Sequence, residues 1–312
     1  MKQVSILGVV AFLLLLIGCN SSSSKPMVVD ITPRSDAFIV GVGEYKNNIR
    51  PLYGVEKDLK NIRKLLKYLN INNITTLRDD EATLHDIRKL FYSYINSNKN
   101  HKDNIFLFYF SGHGIQVDDK NGDEKDKKDE ATALYDLALD DKNFIEEGVL
   151  LDDELSYLLS QIHSKKILIF DKCHSGSSHR EGFKPFVKSI DGEYKLSSSF
   201  LNKIDKNIKS KKILTNFIVF SATKDNQEAE DSPLGGLFTN SLIDGIIKKK
   251  ADFNHNSLIT ISELEKFCAK NITSLAVDIS KKYKISLKGD YTPSFSPKER
   301  KEETVQSIFN IK

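Results

Sequence analysis

Residues 105–114 read IFLFYFSGHG, and residues 167–176 read ILIFDKCHSG. Each stretch begins with an uninterrupted apolar run, which is typical of a strand buried on both faces of a parallel sheet. Each run then stops at a group that can take part in catalysis, His113 in the first stretch and Cys173 in the second. In open α/β sheets, ligands bind beyond the carboxyl ends of the strands. The functional site is therefore predicted where these two strands end.

The rest of the chain alternates between strand and helix patterns. Short apolar runs predict strands at 37–42, 74–77 and 217–220, and helical spacing of apolar residues predicts helices at 55–69, 84–95, 152–162, 237–247 and 262–280. This order predicts an α/β fold with a mainly parallel central sheet flanked by helices. Two stretches fit neither period, the acidic residues 118–130 and the Lys- and Ser-rich residues 177–212, and are predicted to be long loops.

The composition excludes several classes of protein. The 312 residues include 46 Lys or Arg and 43 Asp or Glu, a net charge of +3, which argues against a nucleic-acid binder driven by counterion release. Three cysteines are too few for a disulfide scaffold. Cys268 shares a helical face with Leu264 and Leu275 and is predicted to be a core thiol.

The N-terminus is typical of an export signal. A lysine in the first three residues precedes the largely apolar residues 4–17, a run shorter than the ~20 residues of a membrane-spanning helix. Gly18-Cys19 resembles a bacterial lipobox, which implies a signal peptide at 1–18, lipidation of Cys19 and a flexible tether at 19–35. The expected location is the cell envelope, periplasmic or on the outer surface. An unprocessed anchor helix and a plain signal peptide are the alternatives.

His113 and Cys173 are the residue types of a nucleophile and its base. If their strands are neighbours, the two side chains meet above the sheet although 60 residues separate them. The imidazole can then hold the sulfur as thiolate or pass its proton to a leaving amine. The N–H groups of Gly114 and Cys173 are expected to be free to bind an oxyanion. The alternative is a structural thiol beside a polar loop histidine.

These motifs, taken together and in order, resemble the caspase-like cysteine peptidases of family C14, in particular bacterial metacaspase-like members. The matching pieces are SGHG at 111–114, DKCHSG at 171–176, GDEKD at 122–126, DDE at 152–154, GVG at 41–43, Gly54 with Asp58, Ser221 with Asp225 and Gln227, and GLFT at 236–239. The resemblance covers most of the chain and implies a caspase-like fold at 36–296. Within it, a large-subunit-like part (36–176), a linker loop (177–212) and a small-subunit-like part (213–296) precede a tail at 297–312.

The resemblance also implies roles for individual residues. Cys173 is the expected nucleophile, His113 its acid–base partner, and Gly114 a donor to the oxyanion hole. Asp58 and Asp171 match the carboxylates that make the S1 pocket acidic, so protein substrates cut after Arg or Lys are expected. No cofactor is expected for the Cys-His chemistry, and a monomer is expected. Self-cleavage is also expected after one of the lysines of the linker, among them Lys184, Lys188 and Lys195.

Lys172 departs from the family pattern, which has a small residue between the Asp and the Cys. Its ammonium group is expected to lower the pKa of the Cys173 thiol, to pair with Asp171 and fill the S1 pocket, or to turn into solvent. The second of these favours another interpretation of the whole chain, a caspase-like binding protein without activity. A different Cys-His acyl-transfer enzyme is the third.

Calcium is the metal that the resemblance implies. Asp152 and Asp153 match a pair of calcium ligands, and Asp129 matches a third, but the further aspartate expected near position 180 is absent from the sequence. Acidic residues at a helix N-terminus are the alternative explanation. Separately, the polar residues of 252–263 have the spacing of an EF-hand loop, with a polar turn as the alternative.

Overall fold

The computed structural model describes residues 35–97, 104–119, 127–173, 186–190, 192–204, 217–224 and 227–310. By its internal contacts the chain divides into Met1–Thr32 and Pro33–Lys312, and the first unit lies outside the described residues. Cys19 and the predicted signal and tether therefore fall outside the description. None of the helices in the described ranges is both long and apolar enough to cross a membrane.

A six-stranded sheet forms the centre of the fold, with strand order β10-β9-β7-β3-β1-β2. Its strands are β1 (Ser35–Gly41), β2 (Asn73–Arg78), β3 (Ile105–Ser111), β7 (Lys165–Asp171), β9 (Phe217–Ser221) and β10 (Ser294–Ser296). All neighbouring strands are parallel except β10, which runs antiparallel to β9 at the edge. This confirms the predicted α/β fold with a mainly parallel sheet.

Helices cover both faces of this sheet. The described helices are α1 (Val55–Tyr68), α2 (Leu84–Ser97), α3 (Asp152–Ser160), α4 (Ser198–Lys203), α5 (Leu237–Leu242), α6 (Ile261–Tyr283) and α7 (Val305–Ile308). Alternate strand residues enter two separate cores: Leu107 and Tyr109 pack with α1, α5 and α6, whereas Phe106 and Phe108 pack with α2 and α3. The helix predicted at 237–247 ends as α-helix at Leu242 and continues as one π-helical turn.

A second, four-stranded sheet replaces part of the two predicted loops. It consists of β4 (Gly114–Asp118), β5 (Lys128–Leu139), β6 (Phe144–Leu151) and β8 (Lys195–Leu196). The prediction of a continuous loop at 118–130 was wrong at its C-terminal end, where β5 begins. The linker predicted at 177–212 likewise contains β8 and α4. β8 has two residues and β5 begins with the charged residues 128–130, so local periodicity did not reveal them.

Candidate active site

The register of the central sheet brings His113 and Cys173 to one edge. Strands β3 and β7 are parallel neighbours with Ser111 directly opposite Asp171, and each reactive residue follows its strand end by two positions. Gly114 lies so close to this meeting point that a Cβ atom there would overlap the carbonyl oxygen of Cys173. The glycine after His113 is therefore required by close packing of the two strand ends.

The imidazole of His113 is held as a neutral base. Its Nε2 lies 2.8 Å from the carbonyl oxygen of Arg50, and because a carbonyl only accepts, Nε2 carries the proton. Nδ1 is buried and has no hydrogen-bond partner among the described residues. The Tyr45 ring packs against the imidazole at 5.3 Å between centroids, and burial lowers the pKa of His113 to about 3. The lone pair on Nδ1 is thus available to accept a proton.

The thiol of Cys173 is neutral and shielded from solvent. Only 1% of the residue is exposed. The Ala229 N–H donates to Sγ at 3.1 Å, and the thiol lies 3.6 Å from the Ala229 carbonyl. Burial raises the pKa of the Cys173 thiol to about 12, and the neighbouring Lys172 lowers it only slightly. In this state the sulfur is not a thiolate.

Asp58 and Asp171 lie side by side beneath this edge, both fully buried. Asp58 Oδ1 accepts a hydrogen bond from the Gly236 N–H at 2.7 Å, and its Oδ2 accepts one from the Ser111 hydroxyl at 2.7 Å. Asp171 Oδ2 accepts from the N–H and the hydroxyl of Thr239 at 3.0 and 2.6 Å. The two carboxylates that the sequence assigned to the S1 pocket therefore share one polar pocket.

A lysine of the chain itself occupies that pocket. The ammonium of Lys188 lies 2.8 Å from Asp58 Oδ2, 2.9 Å from Ser111 Oγ and 3.0 Å from Asp171 Oδ1. Three acceptors match the three N–H donors of an ammonium group. Burial alone would lower the pKa of Lys188, but the carboxylates of Asp171 and Asp58 outweigh that effect and raise it well above its ordinary value.

The backbone of Lys188 fills the predicted oxyanion hole. Its carbonyl oxygen accepts from the Gly114 N–H at 2.9 Å and from the Cys173 N–H at 3.2 Å. The expectation that these two amides are free was wrong for this state, because a carbonyl already lies between them. The arrangement nevertheless has both donors aimed at a single carbonyl oxygen, which is the geometry that an oxyanion hole requires.

The rest of this segment forms backbone hydrogen bonds with residues 229–231 and with the start of β4, as a bound peptide does. The Lys188 N–H donates to the Ala229 carbonyl at 2.9 Å, and the Asp231 N–H donates to the Phe186 carbonyl at 2.6 Å. Further along, the Ile190 N–H donates to the Gly114 carbonyl at 3.0 Å. Residues 186–190, here named the inhibitory segment, therefore lie across the site with Lys188 in the position of a P1 residue.

Of the three predicted courses, Lys172 follows only the first, and that weakly, because its charge lowers the pKa of the Cys173 thiol as the smallest of the contributions. Only 4% of it is exposed, so it is not in solvent, and it does not fill the S1 pocket, which Lys188 occupies. Its effect on the thiol is minor. Its ammonium instead lies 3.5 Å from the Ala131 carbonyl and 5.7 Å from the centre of the Phe170 ring. Alternate residues of a strand point to opposite faces, which directs Lys172 away from Asp171.

The acids predicted to bind calcium do not form a complete ligand set. Asp152 and Asp153 begin α3, and Asp129 lies on β5, where it is 4% exposed. Within the described ranges, no three Asp, Glu, His or Cys side chains are arranged to hold a metal ion. The described residues at this place therefore do not make up a set that fits a bound Ca²⁺.

The loop at 252–263 has the polar turn that the sequence offered as an alternative. Asp252 accepts from the N–H groups of Asn256 and Ser257 at 3.1 and 2.9 Å. Glu263 Oε2 accepts from the Thr260 N–H at 2.9 Å, and the Glu263 N–H donates to the Thr260 hydroxyl at 3.1 Å, which caps α6. Calcium binding at this loop stays a prediction.

Several residues around the site were not singled out by the sequence. Ser111 and Thr239 hold the carboxylates, while Arg50 donates to the carbonyls of Val187 and Ser189 and so holds the inhibitory segment. Asp231 is a third buried acid beside the pocket, and its Oδ2 accepts from the Gly54 N–H at 2.8 Å. Ser111 and Thr239 lay inside quoted motifs, but their spacing alone indicates no role.

Comparison with known proteins decides the family. A family model described as the caspase domain of peptidase family C14 matches residues 34–284, which is most of the chain. The chain belongs to the caspase-like cysteine peptidases. The chemistry of this family, the nucleophilic attack of a cysteine thiol, needs no cofactor.

The caspase-like peptidases that resemble this chain include eukaryotic metacaspases. Metacaspase-3 of Arabidopsis thaliana is 35% identical over 153 residues, which cover 45% of this chain and 40% of that protein. Metacaspase-1 of Plasmodium falciparum is 31% identical over 244 residues, which cover 73% of this chain and 36% of that protein. The chain therefore spans well under half the length of these relatives.

Solved structures share the fold at low sequence identity. A crystal structure of a Geobacter sulfurreducens protein matches with a TM-score of 0.58 at 19% identity, covering 87% of this chain and 97% of that one. Caspase-1 from Spodoptera frugiperda matches with a TM-score of 0.52 at 14% identity, covering 85% and 86%. Both likenesses support the caspase-like fold and nothing further.

Proposed function

We propose that this cysteine peptidase cleaves protein chains after Lys or Arg with Cys173 as nucleophile and His113 as acid and base. The observation that carries the proposal is the placement of Lys188. Its ammonium contacts two buried carboxylates while its carbonyl oxygen accepts from the Gly114 and Cys173 amides. One lysine thus occupies an acidic S1 pocket with its side chain and an oxyanion hole with its carbonyl oxygen.

The residues support an acyl-transfer mechanism. His113 Nδ1 takes the thiol proton, and Cys173 Sγ adds to the carbonyl carbon of the P1 residue. The resulting oxyanion is bound by the N–H groups of Gly114 and Cys173. As the C–N bond breaks, His113 gives its proton to the leaving amine, which leaves a thioester. Water then adds with His113 again as base, and the acid product and the free thiol are released.

The pocket favours basic side chains because of its charge. Two carboxylates at 2.8 and 3.0 Å form charge-assisted hydrogen bonds with an ammonium, and a guanidinium offers the same kind of donors. Acidic side chains would meet like charges at the bottom of the pocket. The P1 preference for Lys or Arg over Asp follows from this arrangement.

We further propose that the described state is latent and that the enzyme first cuts itself between Lys188 and Ser189. The inhibitory segment occupies the pocket and the oxyanion hole, so an outside substrate has no access until it leaves. Among the described lysines of the linker, Lys188 is the one whose ammonium lies between Asp58 and Asp171. Cleavage at this bond would create a new C-terminus at Lys188 and a new N-terminus at Ser189, and both ends would be free to leave the site.

The proposed setting is a cell-envelope lipoprotein. It rests on Gly18-Cys19 and on the polar residues 20–24 that follow as a tether. The expected partners are protein substrates with a basic P1 residue and the membrane that holds the lipid. The enzyme is expected to act as a monomer.

The test is cleavage of fluorogenic peptides that end in Lys, Arg or Asp, with a Cys173→Ala variant as control. Cleavage after Lys or Arg that the variant abolishes is the expected result. Mass spectrometry of the incubated chain should find a new N-terminus at Ser189. Lys188→Gln should remove that cut, whereas Lys195→Gln, at an exposed lysine of the same region, should leave it. Absence of all cleavage would favour a binding protein, and alkylation of Cys173 without peptide cleavage would favour another acyl-transfer enzyme.

A further inference from the structure

The inhibitory segment is bound along the edge that faces the oxyanion hole. It pairs with neighbouring backbone at Val187 and at Ser189, which gives it an extended course across the site. In an extended chain the N–H and C=O groups of successive residues face opposite edges. The N–H and the carbonyl of Lys188 share one edge, where they contact the Ala229 carbonyl and the two amides of the oxyanion hole. The carbonyls of the residues before and after Lys188 therefore face the other edge.

Arg50 binds that other edge. Its Nη2 donates to the carbonyl oxygen of Val187, and the same nitrogen donates to the carbonyl oxygen of Ser189 at 3.3 Å. For a cut between Lys188 and Ser189, these are the carbonyls of the P2 and P1′ residues. One guanidinium therefore contacts the backbone on both sides of the bond that is proposed to break.

Arg50 also contacts the catalytic base, through its backbone rather than its side chain. The Arg50 carbonyl oxygen accepts a hydrogen bond from Nε2 of His113 at 2.8 Å. The peptide and the imidazole are thus held by one residue, which fixes their relative position. A substitution of the Arg50 side chain removes the contacts to the peptide and keeps the carbonyl that orients the imidazole.

We propose that Arg50 is a substrate-binding residue that holds the P2 and P1′ carbonyls and so selects peptide bonds that are followed by a further amino-acid residue. The inference rests on the proposed peptidase function. A guanidinium presents several N–H donors in one plane, which suits it to two acceptors at once. The P1′ carbonyl exists only if the leaving group is itself an amino-acid residue. An amide of a simple amine therefore forms one of the two contacts and lacks the other.

The two contacts act on the orientation of the scissile carbonyl. Because the carbonyls on either side of it are held, the peptide unit between them has little freedom to rotate. Its oxygen therefore stays directed at the Gly114 and Cys173 amides. When the C–N bond breaks, the P2 carbonyl remains with the thioester and the P1′ carbonyl leaves with the amine. Arg50 therefore makes both contacts only while the peptide is intact.

The first experiment compares two substrates that differ only at the P1′ carbonyl. Both carry acetyl-Phe-Val-Lys, the sequence of residues 186–188, and the leaving group is either serine amide or serinol, in which a hydroxymethyl group replaces the carboxamide. The two compete in one sample, and liquid chromatography with mass spectrometry gives the ratio of their kcat/KM values. This ratio is independent of the fraction of enzyme that is active, so incomplete self-cleavage does not affect it.

The test variant is Arg50→Met, which keeps most of the length of the side chain without any N–H donor. The matched control is Lys46→Met, which removes an exposed cation from the same loop. The preference for serine amide over serinol should be at least about tenfold smaller in Arg50→Met than in the parent, because a hydrogen bond from a charged donor is lost. Lys46→Met should keep the ratio of the parent. An equal ratio in all three proteins would overturn the proposal.

A second experiment is independent of catalysis. In the chain with Cys173→Ala, hydrogen–deuterium exchange of residues 186–190 should be about tenfold faster when Arg50→Met is added and unchanged when Lys46→Met is added. Unchanged exchange in a folded Arg50→Met would overturn the proposal. If Arg50→Met does not fold, Arg50→Gln, which is polar but too short to reach both carbonyls, replaces it in both experiments. Absence of cleavage of both substrates by the parent would count against the peptidase function, and the exchange result would then decide whether Arg50 holds the segment.

Discussion

Two buried lysines flank the end of strand β7, and they differ in the part of the chain that carries each ammonium to the nearby acids. Lys188 reaches the S1 carboxylates from the inhibitory segment, which lies across the site like a substrate. Lys172 reaches, from the strand end itself, a cavity of about 100 Å³ that it lines together with Glu130 and Asp152, here named the acidic cavity. In the proposed mechanism the first ammonium leaves with its segment, which opens its pocket to a substrate. The second ammonium is attached to the strand end and has no such route.

The same comparison explains why the two lysines differ in pKa. Burial penalises both ammonium groups, yet the pKa of Lys188 is raised and that of Lys172 is lowered. Lys188 has two carboxylates and a hydroxyl within 3.0 Å, whereas the hydrogen-bond partner of Lys172 is a neutral carbonyl at 3.5 Å. Direct contact with charged acceptors decides whether a buried ammonium is favoured.

The largest expected effect is on thiol reactivity when the inhibitory segment leaves. In a self-cleaving sample, iodoacetamide should alkylate Cys173 about 1,000-fold faster in the cut chain than in the intact chain, because the pKa of about 12 falls toward its ordinary value. Cys268, a core thiol as predicted, should stay unreactive in both forms and serves as the internal control. Mass spectrometry of the separated chains measures both. Equal reactivity of Cys173 in both forms would show that the segment does not protect it.

The next largest effect is on catalysis, and it is measured by substituting one acid in each of the two lysine pockets. Asp171→Asn should lower kcat/KM for a Lys-P1 peptide by about 100-fold or more, since a buried charge partner of the substrate is lost. Asp152→Asn in the acidic cavity should change it by about threefold or less. Steady-state kinetics on both variants measure the ratio. A similar loss in both would mean that the two pockets do not act separately.

A smaller effect concerns acid stability of the latent state. The His113 pKa of about 3 lies below its ordinary value of 6.5. Between these two pH values the unfolded chain therefore binds a proton at His113 that the folded chain does not bind. His113 therefore contributes stability that is present above pH 6.5 and is lost as the pH falls toward 3. Within this window the free energy of unfolding should fall by about 1 kcal/mol per pH unit.

Denaturant unfolding of the Cys173→Ala chain from pH 7 to pH 4 measures this fall. The His113→Asn variant is the control, and the difference between the two proteins isolates the histidine from the other titrating groups. Parallel curves for the two proteins would contradict a buried neutral imidazole.

The smallest expected effect is that of Lys172→Met on stability. Removal of the charge at constant volume takes away both the cost of burying an ammonium and its attraction to Glu130 and Asp152, and these two effects oppose each other. The free energy of unfolding, measured with denaturant at pH 7, should therefore change by about 1 kcal/mol or less. A loss of several kcal/mol would show that the fold requires the buried ammonium.

Much of the central sheet was predictable, because strands such as β3 and β7 are buried on both faces and therefore uninterrupted in apolar character. The same pattern predicted where His113 and Cys173 lie. The second sheet was not predicted, since β8 has two residues and β5 begins with the charged residues 128–130, so neither has the uninterrupted apolar character of the central strands. Asp58 required the family resemblance, because nothing local distinguishes a carboxylate in the first turn of α1 from a solvated one.

The amino-acid sequence by itself determined the family, the α/β layout and the residues able to carry out acyl transfer. Only the tertiary structure decided which lysine meets which acid. The amino-acid sequence does not distinguish a lysine of the S1 pocket from one of the acidic cavity or one in solvent. The residues next to it along the chain do not distinguish them either. Its role is decided by carboxylates from other strands and helices, which act through short distances in a buried environment that forms only when the chain folds.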